Sequence, residues 1–329
     1  MLWIRSTALR ATSILISAVL AAFAAPAAIA QGFPAKPIRI IALSSPGSGP
    51  DIMGRLIANR FTDAWGQQAI VDTRPGATGR IGAEIGAKAA PDGHTLVIVT
   101  SQAVIVSVLY EKSIPYNLIR DFAPIGMLAT TPFLLVVHPS VPARSIKEFI
   151  ALAKSRPKQI YYGSGGSGSP PHLSAEMFRS MTGIEMLHVP YKGVTPAMVD
   201  TMAGEVQMLI SVIPAVLAAV QSGKVRPLGV TSTTRSPLVP DVPPISDTVP
   251  GYEFIGWYSL VAPAGTPQSI IQKINGELAQ ALKSTEFRER LRGFGTEPRG
   301  STPEELGVYI KEQSQKMRKA IADSGTRAE

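Results

Sequence analysis

The chain has 329 residues, 45% hydrophobic and 17% charged, with no cysteine and a formal net charge of +8. The missing cysteine excludes disulfides, thiol catalysis, thiolate metal sites and a lipid-modified cysteine near the N-terminus. Lysines and arginines are scattered without a run of five and aromatics make up only 6%, which argues against a nucleic-acid surface and for a mildly positive field that favours anionic solutes.

The first thirty residues stand apart: Arg5 and Arg10 flank an apolar run from Ile14 to Ala24, and small residues follow to Ala28-Ile29-Ala30. This is the pattern of a secretory signal peptide, shorter in its apolar core than the ~20 residues of a membrane span and ending in an A-x-A cleavage site. Cleavage is expected after Ala30, by the general secretory route because no Arg-Arg pair is present. About 300 residues then remain, more than one hydrophobic core organises, so two lobes are expected.

From Pro37 onward, β-rich runs alternate with helical patterns, as in α/β domains with largely parallel sheets. Residues 38–43 read as the first strand and 52–64 as the helix behind it, with Asp51 placed to cap that helix. Further strands are predicted at 69–72, 95–100, 133–138, 160–163, 186–189, 208–212, 225–231 and 258–262, and helices at 81–89, 146–156, 173–181, 195–203, 216–221, 268–282, 286–292 and 303–322. Segments 121–126 and 253–257 each run into an apolar stretch, ending at Pro139 and Pro263. As paired crossovers they make a hinge, with a discontinuous first lobe (31–131 and 250–329), an inserted second lobe (132–249) and a cleft between them. The Pro/Ser/Thr-rich stretch 232–250 reads as an extended surface connection.

Two loops carry the chemistry. Ser44-Ser45-Pro46-Gly47-Ser48-Gly49-Pro50 joins the first strand to its helix, where a glycine-bearing loop lets an anion approach unpaired N–H groups. An ordinary βα turn reads equally well from this loop alone. Gly163-Ser164-Gly165-Gly166-Ser167-Gly168-Ser169-Pro170-Pro171 is a second donor cluster, on the other lobe, and the pair suits a clamp around a small anion. The second loop formally matches G-x-G-x-x-G, with Glu185 at a ribose-acid distance, but lies mid-chain, away from a domain's first strand. His94, His138, His172 and His188 are far apart in sequence with no HExxH, which argues against a metal site. No G-x-S-x-G elbow is present, since Ser169 stands where the last glycine belongs.

Ordered motifs then carry a resemblance: Pro37-Ile38-Arg39-Ile40-Ile41, Pro46-Gly47-x-Gly49-x-Asp51, Thr73-Arg74-Pro75-Gly76-Ala77-x-Gly79-x-Ile81-Gly82, Ala90-Pro91-Asp92-Gly93, His188-Val189-Pro190-Tyr191-Lys192-Gly193 and Ala262-Pro263-Ala264-Gly265-Thr266-Pro267. Together they resemble the Bug/TctC substrate-binding proteins, the extracytoplasmic receptors of tripartite tricarboxylate transporters. The resemblance implies an α/β, two-lobed periplasmic binding protein fold with a ligand cleft between lobes, and a ligand carboxylate held by backbone N–H groups, hydroxyls and waters. Carried over by position, it points to Ser45, Gly47, Ser48, Gly49 and Asp51 on the first lobe and to Gly163, Ser164, Gly166 and Ser169 on the second. Ser101, Gln102, Ser211 and Thr231 would line the cleft, and Asp51 reads equally as a ligand contact or as a helix cap. Leu43-Ser44 departs from the family's Pro-aromatic pair, removing an expected aromatic wall. Gln207 and Ser211 replace aspartates, which makes a plain carboxylate a better ligand than an amino acid. The expected protein is a monomeric, non-enzymatic periplasmic receptor without a cofactor, holding a mono-, di- or tricarboxylate or an aromatic acid for transporter membrane subunits. The alternatives are a secreted serine hydrolase and a ligand sensor without a transporter.

Overall fold

In a computed structural model describing residues 32–326, β1 (Ile38–Ala42) is almost wholly buried, as a run of β-branched residues is when helices cover both faces of a parallel sheet. The expected signal peptide and its cleavage site lie outside the described residues. α1 (Gly49–Trp65), β2 (Ala69–Thr73), α2 (Arg80–Ala87), β3 (Thr95–Thr100), α3 (Ser101–Leu109) and β4 (Phe122–Val137) follow. Then come α4 (Ile146–Ser155), β5 (Tyr161–Ser164), α5 (Pro170–Thr182), β6 (Leu187–Pro190), α6 (Val194–Ala203), β7 (Met208–Val212), α7 (Ile213–Gln221) and β8 (Arg226–Val230). The chain ends with β9 (Ile255–Pro263), α8 (Gln268–Ala281), α9 (Thr285–Gly293), β10 (Glu297–Pro298) and α10 (Pro303–Ser324).

The 16-residue β4 organises the two lobes. It pairs antiparallel with β9 from Phe122 to Pro132, then with β7 from Phe133 to Val137, where β8 takes its other edge. One half of the sheet therefore runs β2-β1-β3-β9-β4-β10 and the other β6-β5-β7-β4-β8. β1, β2 and β3 are parallel in the first half, and β5, β6 and β7 in the second. Thr231 ties the seam: its Oγ1 accepts from the Phe133 N–H at 2.8 Å, its N–H donates to the Phe133 carbonyl at 3.0 Å, and its carbonyl accepts from the Phe254 N–H at 3.0 Å.

The first half has a core around Ile40, Phe61, Leu96, Ile98 and Ile274, and the second around Leu134, Val136, Leu209 and Val216. A further cluster is shared, running from Val97 and Val99 through Phe133 to Tyr162 and Phe178, and including Leu306, Ile310 and Met317 of α10. α10 packs against both α3 and α5, and Arg318 grips the Glu111 carboxylate with two nitrogens at 2.8 and 3.0 Å.

Besides the unexpected short β10 and the extension of β4 back to Phe122, two differences bear on the site. No element is expected at 101–109, yet α3 stands there: Ala103, Val104, Ile105 and Val106 are all buried, so the helix lacks the polar face that makes a 3.6-residue period visible. The helix after β1 begins at Gly49 with Ser48 at the N-cap, so Asp51 lies inside its first turn.

Candidate functional site

When parallel strands end at one edge and each leads into a helix, the helix N-termini gather above that edge. Here they surround a cavity of about 280 Å³ between the two halves. Pro50 of α1, Thr78 and Gly79 before α2, Ser101, Gln102 and Ala103 of α3, Pro170 and Pro171 of α5, Val194 of α6 and Val212 before α7 all line it. Among these six helices only α5 has a side-chain cap, Ser169 Oγ accepting from the His172 N–H. Each uncapped terminus carries about half a positive charge and unpaired N–H groups, so the convergence creates a site for an anion. The described lining residues include no Asp, Glu, Lys, Arg or His, and the rest of the wall is largely apolar: Leu43, Val106, Tyr116, Phe133, Trp257 and Tyr258. The aromatic wall that Leu43-Ser44 removes is thus supplied from β4, β9 and the segment after α3.

Of the residues picked out by sequence, Ser101, Gln102 and Ser211 line this cavity. Ser45, Gly47, Ser48, Gly49 and Asp51 are not among the lining residues, while their neighbours Ser44 and Pro50 are. Gly163, Ser164, Gly166 and Ser169 are likewise absent, while Pro170 and Pro171 are present, and Thr231 is fully buried at the seam.

The hydrogen bonds of the two loops run largely inward. The Gly47 N–H donates to Asp51 Oδ2 at 2.8 Å and the Ser48 N–H to the Ser45 carbonyl at 3.3 Å. Asp51 is buried and also paired with Arg55 at 3.0 Å, so its carboxylate closes the loop on itself. A Cβ on Gly49 would collide with the Tyr258 hydroxyl, so only glycine lets this aromatic reach the cavity beside α1. In the second loop the Gly166 N–H donates to Ser164 Oγ at 3.1 Å and the Gly168 N–H to His172 Nδ1 at 3.0 Å.

Under that second loop lies a stack of rings. His172 and His188 have centroids 3.9 Å apart and planes 17° apart, and Tyr162 stacks on His188 at 5.0 Å. Ser164 Oγ sits 2.6 Å from His188 Nε2, and the Tyr162 hydroxyl donates to Glu176, which Arg179 holds in turn. Burial and the adjacent His172 push the His188 imidazole from its ordinary 6.5 down to about 4. Burial and the Glu176 carboxylate hold the Tyr162 hydroxyl well above the ordinary range. Both rings are therefore neutral near pH 7.

Sequence reasoning missed two features of the wall, the turn before α2 and Tyr258. Gly76, Ala77, Thr78 and Gly79 all have positive φ (113°, 47°, 57° and 92°), and Thr78 is β-branched, a side chain that conformation penalises. The signal was the pair of glycines bracketing this turn. Tyr258 follows Trp257 on β9, but its orientation depends on strand register. Ser211 Oγ and Trp257 Nε1, both on lining residues, are buried with no hydrogen-bond partner among the described residues.

The profile of the tripartite tricarboxylate transporter family receptor matches residues 53–326. Protein BugT of Bordetella pertussis is 35% identical over 311 residues, covering 93% of this chain and 94% of its own length. Among solved structures, R. palustris Rpa4515 with adipate superposes with a TM-score of 0.79 at 34% identity, covering 90% of this chain and 99% of that one. MatC from Rhodopseudomonas palustris with bound malate gives 0.74 at 27% identity, covering 88% and 100%. The arrangement of one long shared strand, two half-sheets and a cavity ringed by helix N-termini is thus that of a tripartite tricarboxylate transporter receptor, the family to which this chain belongs.

Proposed function

We propose that this chain is exported, with Gln31 as its mature N-terminus, and captures a small carboxylate between two lobes for a transporter of the tripartite tricarboxylate type or for a sensor. The lobes are the two half-sheets with their helices, the first discontinuous and the second inserted between the crossovers at β4 and β9. The observation that carries the reading is the convergence of six helix N-termini on a cavity whose described lining residues bear no charged side chain. Such a site stabilises an anion through fixed dipoles and N–H groups without an arginine. Relatives with bound adipate and malate support the ligand class. Ser101 and Gln102 contact the ligand from α3, and the two glycine-bearing loops hold α1 and α5 at the rim. Binding is favoured over hydrolysis because Ser164, the serine beside a histidine, is fully buried and does not line the cavity.

The test is a thermal-shift screen of organic acids against the mature protein, followed by calorimetry on the hits. A ligand that binds only the folded state adds about 2.7 kcal/mol at a hundredfold excess over Kd. At least one carboxylate is expected to raise Tm in this way. No shift across mono-, di-, tri- and aromatic carboxylates would overturn the proposal.

A further inference from the structure

We infer that Arg80 is a positioning residue for the ligand cavity: its guanidinium, bound to the Ala77 carbonyl and laid over the Tyr110 ring, pins the turn 76–79 in the strained form whose Thr78 and Gly79 line the cavity. The inference rests on the solute-binding reading above and adds to it a residue that stands outside the cavity lining.

The turn has a reason to leave this shape. Gly76 and Gly79 adopt positive φ without penalty, but Ala77 and Thr78 between them stand at 47° and 57°, where a Cβ crowds the backbone. Such residues persist only where their surroundings hold them. On the inner side the hold is close packing. A Cβ on Gly79 would lie 2.9 Å from the Leu43 carbonyl oxygen, and Leu43 is itself a lining residue. On the outer side Ala77 and Thr78 are exposed, and Arg80 reaches back to them. Its Nε donates to the Ala77 carbonyl at 2.9 Å, and its Cζ lies 4.1 Å from the ring centroid of Tyr110, the residue that closes α3. The Ala77 carbonyl also accepts from the Thr78 hydroxyl and the Arg80 N–H, both local to the turn, and the guanidinium carries the tie onward to α3.

The surroundings leave the guanidinium to this task. Glu84, one turn further along α2, pairs with Lys88 at 2.6 Å, and among the described residues Arg80 forms no ion pair. A planar cation spread over a ring face is attracted by the π-system while still donating in its own plane. α3 opens at the cavity with Ser101, Gln102 and Ala103, so the stack fixes one part of the wall against the next. Burial pushes the hydroxyl of Tyr116, another lining residue, up to about 12, and the Arg80 charge is close enough to oppose that rise.

The test is hydrogen exchange on the mature chain without ligand, read by mass spectrometry on peptides spanning 74–82, together with calorimetry using adipate and malate as probes. Arg80→Ala and Tyr110→Leu should each speed exchange of the turn about tenfold, and the double variant no further than either alone, because both break one contact. Peptides from β1 and β3 should exchange as in wild type. A probe that binds wild type should bind each variant about tenfold more weakly. Adding Ala77→Gly to the Arg80→Ala chain should recover most of that affinity, since glycine removes the penalty on positive φ. A mere loss of positive charge near an anion would not be recovered in this way. Exchange unchanged in Arg80→Ala, additive effects in the double variant, or an affinity that Ala77→Gly does not restore each overturn the inference and leave the solute-binding reading intact. If neither probe binds wild type, exchange alone decides, and should Tyr110→Leu fail to fold, Arg80→Ala decides without it. Absence of binding to every acid of the thermal-shift screen is a distinct outcome, which removes that reading and this inference together.

Discussion

His188 is the residue on which local chemistry and stability meet most directly. It is held by Ser164 on one side and lies against the rings of both Tyr162 and His172, which also face each other, with Glu176 and Arg179 beyond. Its folded pKa of about 4 lies below the ordinary 6.5 of the unfolded chain. Between those values the unfolded state binds a proton that the folded state does not, so stability rises with pH across this window. The contribution is complete above about pH 6.5 and is lost as pH falls toward 4. Urea unfolding at pH 7 and at pH 4.5 should show wild type losing more stability on acidification than His188→Gln. Equal losses would show that the ring stack does not titrate in this way. At this scale the sequence was partly legible. Ser164 stood out as a hydroxyl in a glycine loop, but its histidine lies 24 positions later and only the β5–β6 register brings them together. Nor does spacing reveal which loop N–H groups are consumed, as Asp51 consumes that of Gly47.

Among the elements, β4 shows what local pattern conveys and what it withholds. The two crossover segments were legible as apolar runs because each carries a Phe-x-x-x-Gly or Phe-Ile-Gly start and a proline end. The continuity of β4 over 16 residues was not, because it depends on β9 being replaced by β7 as partner between Pro132 and Phe133. At that replacement the Phe133 N–H turns to the side chain of Thr231. Thr231→Val preserves shape but leaves this buried N–H unpaired, which should cost about 1–3 kcal/mol, whereas Thr231→Ser should cost less. Denaturant midpoints for the two variants check this. A valine variant as stable as the serine variant would mean that the Phe133 N–H finds another acceptor. α3 was invisible for the opposite reason: its apolar residues face protein on most sides, so the segment lacks the amphipathic period by which α4 or α8 is recognised.

For the whole molecule, the sequence divides the chain at the crossovers and assigns the C-terminal helix to the first lobe. The packing makes that helix a bridge. α10 lies against α3 and α5, Tyr309 meets Trp257 edge to face at 5.6 Å, and Lys316 donates to the Glu253 carbonyl at 2.7 Å beside the second crossover. Leu306, Ile310 and Met317 belong to the same buried cluster as Val99 of β3 and Phe178 of α5. A lobe that unfolded alone would have to expose its share of that cluster, at ~25 cal/mol for every Å² of apolar surface, and would strip one face of α10. The two lobes should therefore unfold as one cooperative unit despite a chain of more than 300 residues, where separate transitions are the usual behaviour. Scanning calorimetry of the mature protein is expected to give one transition with equal calorimetric and van't Hoff enthalpies. Removing residues 303–326 should split it into two or lower the van't Hoff enthalpy below the calorimetric value. Two transitions in the intact protein would show that the shared cluster and α10 do not couple the lobes, and that each half-sheet is a folding unit of its own.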